Sequence, residues 1–249
     1  KDYVARFNMV RKYDHGGSRT VNLATPFEAF TDVRTGPDPG RDNIVGTADD
    51  GIVQVWSVPS SNPNRNITRN RRVQVEGNEN ANLYMAYEGT LTKQFSNGYS
   101  FLVGYEADFV KTSGTKPQNP NELIYKFSGN NALAPFPEWH YSFKASGQKN
   151  LPLGFMFSSV YSAQAGQYFG REVQIRNALN STVNVRVEAQ AGRYPWIKLW
   201  DNRVSKTSKL GERSSIEGFV DVFNTLNSSA VRSQVNVNGP NYLKPISAG

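Results

Sequence analysis

The chain of 249 residues contains no cysteine and only two histidines. Without cysteine there is neither a disulfide framework nor a thiolate that could act as nucleophile or metal ligand. The serine-nucleophile motif G-x-S-x-G and the zinc motif H-E-x-x-H are also missing, so no nucleophile–base pair and no metalloenzyme site is indicated. These absences predict that the chain is not an enzyme.

A long hydrophobic run is missing as well. No stretch of the sequence approaches the roughly 18 consecutive apolar residues that a transmembrane helix requires. Membrane-spanning strands stay open, because their apolar residues alternate with polar ones and never form a run.

The chain is basic, with 28 Lys and Arg residues against 21 Asp and Glu residues and a formal charge of +7. Its basic residues are scattered, and no nucleic-acid-binding motif is present, so binding of DNA or RNA is not expected. The charge fits a basic rim that meets anionic lipid headgroups or an acidic ligand.

Residues 83–111 carry the clearest pattern of the sequence. Apolar and polar side chains alternate on both sides of Asn97-Gly98, which predicts two strands joined by a tight turn. Each strand has roughly a dozen residues, whereas strands of soluble proteins usually have about 5–6 and a tilted membrane-spanning strand needs about 9–11. Because one face is also rich in aromatic residues, the pattern predicts an all-β protein, an antiparallel transmembrane β-barrel.

The same alternation recurs along the chain and predicts about seven spanning strands. Short turns near Asn97, Pro152 and Gly211 alternate with long connections. The long connections are residues 14–82, 112–137 and 164–195, with short strands expected at 51–58 and 182–190. Bacterial barrels have short periplasmic turns and long extracellular loops, so we expect residues 14–82 to form a long extracellular loop.

Two segments near the end of the chain carry a recognisable motif. The first follows D-x-R-x-x-K with a later L-G, and the second follows D-x-F-N-x-x-N. The matching residues are Asp201, Arg203, Lys206, Leu210 and Gly211, then Asp221, Phe223, Asn224 and Asn227. These segments resemble the closing hairpins of TonB-dependent outer-membrane receptors, above all the Oar-like group that carries a carboxypeptidase-regulatory-like domain. Residues 36–51, 93–99 and 150–154 are similar to a loop insert, a hairpin and a turn of that group.

The resemblance implies a barrel of about 22 strands in the bacterial outer membrane. It also implies binding or uptake of an extracellular nutrient, energised through TonB. The sequence has neither the plug domain nor the TonB-box segment of such receptors, and it ends without their final aromatic strand. We therefore expect residues 1–249 to be the C-terminal part of a longer barrel. Its expected partners are outer-membrane lipid, lipopolysaccharide, an extracellular ligand and, through the missing N-terminal part, TonB.

Arginine and aromatic residues of the long connections are the candidate ligand-binding residues, because guanidinium groups and aromatic rings recognise polar or anionic ligands. They are Trp56, Arg69, Arg71, Arg72, Arg171, Arg176, Arg193 and Tyr194. The alternative is that these arginines contact lipopolysaccharide phosphates.

The acidic stretch 38–50 is the candidate calcium site. Its candidate ligands are Asp38, Asp42, Asn43, Asp49 and Asp50. Calcium takes about 6–8 oxygen ligands, and a loop punctuated by glycine could wrap them around one ion. The spacing does not match an EF-hand, so a solvated loop without metal is the alternative. No other cofactor is expected.

A second class of function stays open. The aromatic face, which includes Trp139, Tyr141 and Phe143, could instead form the core of a soluble or surface-attached β-sandwich. Such a protein would act as an adhesion or carbohydrate-binding module. The two hypotheses differ in whether the protein needs detergent to stay in solution.

Overall fold

The computed structural model describes residues 2–16, 18–74, 82–112, 120–121, 138–176 and 181–248, and it confirms an all-β protein with antiparallel sheets. The strands are β1 (Tyr3–Asp14), β2 (Ser18–Asn22), β3 (Asp32–Asp38), β4 (Gly51–Ser57), β5 (Asn70–Gln74), β6 (Asn82–Ser96), β7 (Tyr99–Thr112), β8 (Glu138–Asn150), β9 (Phe155–Gln164), β10 (Tyr168–Arg176), β11 (Thr182–Arg193), β12 (Ile197–Lys209), β13 (Ser215–Val222), β14 (Val231–Gln234) and β15 (Pro245–Ala248). Two single-turn 3₁₀ helices cover Phe27–Ala29 and Pro152–Gly154. None of the helical segments in the described ranges has the length and apolar character needed to cross a membrane.

The main sheet has seven strands in the order β1-β6-β7-β8-β9-β12-β13, and every neighbouring pair is antiparallel. The three predicted hairpins and their short turns are confirmed. Asn97 and Gly98 take φ values of 53° and 82° in the first turn, and Leu153 and Gly154 take 63° and 78° in the second. Asparagine and glycine tolerate this left-handed backbone. The position of the first turn could therefore be predicted from the Asn97-Gly98 pair.

The main sheet is open within the described residues, because β1 and β13 are edge strands. Its strands have eight to fifteen residues, longer than is usual in soluble proteins. No element of the described residues packs along either face of this sheet. Apart from the Arg193 guanidinium, which lies 5.4 Å from the centre of the Tyr141 ring on β8, the two faces are left largely uncovered by the other elements in this part of the chain.

The long connections contain more structure than the sequence predicts. The strands expected at 51–58 and 182–190 are confirmed as β4 and β11, while β2, β3, β5 and β10 were not predicted. Within 14–82, β3 pairs with β4, and β2 pairs with β5. In the connection 112–137, the structure describes only residues 112 and 120–121, and the rest of that connection lies outside the described residues.

The cluster of buried hydrophobic side chains in the described residues lies in these connections, whereas the buried apolar residues of the main sheet are the small Ala86 and Ala163. The β3–β4 hairpin packs against the β10–β11 hairpin through Val53, Val55, Val173, Ile175 and Val185. Residues 236–243 are hydrogen-bonded to β10 through the backbone of Glu172. We call the two hairpins, with the loop 39–50 and residues 236–243, the cap. Successive side chains of its strands point to opposite faces, and the valines of each hairpin lie on one of them, so that this face is apolar.

Candidate functional site

A buried ion pair lies at the centre of the cap. Arg171 and Asp38 are only 6% and 8% exposed. The Arg171 guanidinium donates from Nη2 to Asp38 Oδ2 at 2.8 Å and from Nη1 to Asp38 Oδ1 and to the Gly40 carbonyl at 3.0 Å. The hydrogen bonds with Asp38 raise the pKa of Arg171, so this buried group stays charged. The two-pronged geometry is the one that arginine forms best with a carboxylate.

A second arginine joins this ion pair through Glu188. Arg41 donates from Nε to Glu188 Oε2 at 2.9 Å and from Nη2 to Oε1, and Glu188 also lies 3.7 Å from Arg171 Nε. Glu188 therefore lies between two guanidinium groups. Two arginines and two carboxylates balance each other, which limits the cost of burying charge.

Residues 236–243 complete the acidic loop. Asn43 Oδ1 accepts hydrogen bonds from Gly239 N at 2.9 Å and Asn238 Nδ2 at 3.1 Å, while Asn43 Nδ2 donates to the Gly239 carbonyl at 2.9 Å. Gly40 has a φ of 66°, and a side chain there would collide with the Asp49 carboxylate. The loop is therefore fixed by contacts with segments more than 100 residues away in the chain.

The other carboxylates of the loop accept local hydrogen bonds. Asp49 accepts from Arg41 N at 2.7 Å and Thr47 Oγ1 at 2.8 Å, and the bond from Thr47 lowers the pKa of Asp49. Asp42 Oδ1 accepts from Ile44 N at 2.8 Å, and Asp50 Oδ2 accepts from Gly46 N at 2.5 Å. Across the described ranges, no three His, Asp or Glu side chains lie close enough together to hold a metal ion. The calcium site of Asp38, Asp42, Asn43, Asp49 and Asp50 stays a prediction.

Trp56 connects the cap to the second long connection. The side-chain amide of Asn121 accepts from Trp56 N at 2.8 Å and donates to the Trp56 carbonyl at 2.9 Å. Asn121 therefore satisfies the free backbone groups of β4 as a neighbouring strand would. All three long connections thus contribute to one assembly.

Arg193 joins the cap to the main sheet, and Tyr194 follows it in the chain. The Arg193 guanidinium donates from Nε to the Gly166 carbonyl at 2.6 Å and from Nη2 to the Trp139 carbonyl at 2.5 Å, and it lies 4.6 Å from the centre of the Tyr168 ring. The Tyr194 ring contacts Phe169 at 5.1 Å between ring centres. Both residues have structural contacts that account for their positions.

Arg69, Arg71 and Arg72 lie apart from the cap, on the ribbon formed by β2 and β5. They are exposed, as is Arg176 at the end of β10. Arg72 Nε donates to Ser18 Oγ. The candidate ligand residues are thus not gathered in one site. Arg171 is buried in the cap, Trp56 and Arg193 connect the cap to other elements, and Tyr194 packs against β10. The ribbon arginines are exposed.

Sequence reasoning did not identify Glu188, Arg41 or Asn238 as parts of this site. Each acts through partners distant in sequence; Arg41 and Glu188, for example, are 147 positions apart. No local spacing or motif marks such pairs.

Comparisons of this chain with protein family models, curated proteins and solved structures find no match.

Proposed function

We propose that this chain is part of an outer-membrane β-barrel that serves as a receptor or transporter for an extracellular nutrient. The observation that carries the proposal is the sorting of charge between the two faces of the main sheet. All carboxylates of its seven strands project from one face, which we call the polar face. They are Asp14, Glu88, Glu106, Asp108, Glu138, Asp201, Glu217 and Asp221.

The opposite face, which we call the apolar face, carries aromatic and aliphatic side chains over its whole width. Phe7 is 71% exposed, Val220 67% and Tyr105 49%, so this face is open at both edges and in the middle. An apolar surface of this extent needs an apolar partner, and a lipid bilayer supplies one that covers strands of this length.

The basic residues of the apolar face lie near strand ends, at Arg11, Lys93, Lys111, Lys149, Lys198 and Lys206. Lys93 is 2% exposed, and its Nζ turns toward the short turn, where it donates to the Ser96 carbonyl at 2.9 Å and lies 3.9 Å from the centre of the Tyr99 ring. Lysine and aromatic side chains at such a border are typical of a membrane interface.

Three of these lysines form an oblique row near the short turns. Along the hydrogen-bonded partners, Lys149 lies two residues nearer to the turns than Lys93, and Lys206 two residues nearer than Lys149, each across one intervening strand. With about 3.4 Å per residue and about 4.8 Å between strands, the row is inclined by about 35° to the perpendicular of the strands. A flat membrane surface along this row gives the strands the tilt of roughly 35–45° that barrels have.

The height of the apolar band agrees with this tilt. From Lys198 to Lys206 on β12 the strand spans about 27 Å, which a tilt of about 35° reduces to about 22 Å. From Phe101, opposite Lys93, to Lys111 the same calculation gives about 28 Å. These values lie on either side of the band of about 25 Å that outer-membrane barrels present to lipid.

The polar face suits a lumen, because several of its charged side chains form ion pairs or hydrogen bonds with one another. Arg203 donates to Asp221 at 2.6 and 2.8 Å. His140 Nδ1 lies 2.9 Å from Asp108 Oδ1, and Ser142 donates to Glu106 at 3.2 Å. In this proposal the sheet is closed into the larger barrel, of about 22 strands, by strands of the complete protein. The cap then belongs to the extracellular side, where ligand is bound before TonB-driven uptake.

The need for detergent tests the proposal. We expect the protein to leave membranes only with outer-membrane detergents and to aggregate when the detergent is removed. If the protein stays monodisperse in buffer without detergent, the apolar face is covered by protein, and the adhesion or carbohydrate-binding β-sandwich replaces the barrel.

A further inference from the structure

We infer that the ribbon of β2 and β5 is a binding surface for a polyanionic saccharide, one that carries several phosphate or carboxylate groups. The inference deepens the proposed function, on which it rests for the location of the ribbon outside the cell. β2 and β5 form a separate antiparallel ladder with Ser18 opposite Gln74. β2 begins four residues after β1 ends at Asp14, so the ribbon lies at the end of the main sheet from which the long connections leave.

The charge of the ribbon is of one sign. Residues 51–74 contain no Asp or Glu but contain Arg65, Arg69, Arg71 and Arg72. In the described part of the chain, none of these four arginines has a carboxylate within salt-bridge distance. By contrast, Arg171 of the cap is neutralised by Asp38. The ribbon arginines thus keep their charge available to an outside ligand.

The side chain of Asn22 fixes the end of the ribbon at which the chain leaves toward β3 and returns from β4. Its Oδ1 accepts from Arg69 N at 2.9 Å and Ala24 N at 3.0 Å, and its Nδ2 donates to the Ile67 carbonyl at 3.2 Å. Leu23 N donates to the Arg69 carbonyl at 2.9 Å. A fixed backbone presents the guanidinium groups with less ordering cost on binding than a flexible loop would.

The spacing of the arginines favours a ligand with many charges. Alternation puts Arg71 and Arg72 on opposite sides of β5, and residues two apart on a strand are separated by about 7 Å, so one small anion cannot contact all of them. A single exposed contact of this kind raises affinity by less than about fivefold. Several contacts to one chain reinforce each other, which a polyanion allows.

Two sources can supply such a ligand, and the experiment separates them. The probes are soluble alginate, a polyuronate, and vesicles with phosphorylated lipopolysaccharide, compared with phosphatidylcholine vesicles. Binding is measured for the protein, for Arg69→Gln/Arg71→Gln/Arg72→Gln, and for Lys209→Gln/Arg213→Gln/Lys244→Gln, which removes the same charge from exposed positions elsewhere. We expect the arginine variant to bind about tenfold to a hundredfold more weakly, and the control to bind as the original protein does.

The probes that the arginine variant binds more weakly identify the source of the ligand. If binding is weaker only to lipopolysaccharide vesicles, the ligand of the ribbon is the lipid of its own membrane. If binding to alginate is weaker as well, the ligand is a free acidic polysaccharide. Replacement of the three arginines by lysine should restore part of the affinity. Lysine restores the positive charge but cannot form the two parallel hydrogen bonds that a guanidinium group forms with a phosphate or carboxylate. Equal binding by the arginine variant and its control overturns the inference. Resistance to alkaline carbonate extraction, measured on the same samples, reports membrane insertion, so a failure of the proposed function is recognised separately.

Discussion

Removal of the Arg171 guanidinium should cost the cap much of its stability. The change Arg171→Met keeps a long apolar side chain but leaves Asp38, 8% exposed, without its cation. It also removes the donor to the Gly40 carbonyl. Breaking a buried ion pair on one side costs about 3–5 kcal/mol, and we expect a loss of that size in the free energy of unfolding of the cap.

Trp56 on β4 provides the signal for this experiment. In a protein in which Trp56 is the only tryptophan, urea unfolding followed by its fluorescence reports the cap. Arg171→Met should lower the transition midpoint, and Arg171→Met combined with Asp38→Asn should recover part of the loss, because no unpaired charge then stays buried. An Arg171→Met protein with an unchanged midpoint would refute the role of this ion pair.

Three further predictions concern the sheet, the acidic loop and the topology. On the apolar face, Phe143→Arg should destabilise the membrane-inserted protein by about 2–4 kcal/mol, whereas Ser142→Arg on the polar face should cost little; equal costs in urea titrations in bilayers would contradict the assignment of faces. Because the pKa of Asp49 is lowered, its stabilising contribution is present at neutral pH and is lost as the pH falls through that lowered value; melting temperatures of the protein and of Asp49→Asn should therefore converge in acid. In whole cells, a cysteine replacing Asn70 should react with an impermeant label and one replacing Asn97 should not; the reverse pattern would invert the topology.

The main sheet could be predicted from sequence because its signals are local. A period of two over a dozen residues and the Asn97-Gly98 turn determine the β6–β7 hairpin without distant information. The two hairpins with turns near Pro152 and Gly211 repeat this arrangement. The alternation along β7 by itself predicts that Glu106 and Asp108 project from the face opposite to that of Phe101 and Phe109, and the register of β6, β7 and β8 confirms it.

The cap could not be predicted, because its contacts join residues far apart in the chain. Asp38 and Arg171 are separated by 133 positions, and no periodicity relates them. The acidic residues of the stretch 38–50 predict a calcium site, which stays a prediction, but they give no sign of the Arg171 guanidinium that lies beside Asp38 in the structure. The short strands β2, β3, β5 and β10 were missed for a related reason, since glycine, proline and asparagine interrupt their pattern and pairing partners define them.

Contact between the apolar face and lipid is the central claim, and tryptophan quenching by brominated acyl chains measures it most directly. Trp200 lies on the apolar face of β12, 37% exposed, between Lys198 and Lys206, while Trp56 belongs to the cap. In bilayers of brominated phospholipid, a protein with Trp200 as its only tryptophan should lose most of its fluorescence, and one with only Trp56 should keep it. Unquenched Trp200 in protein that is bound to these bilayers would contradict the barrel.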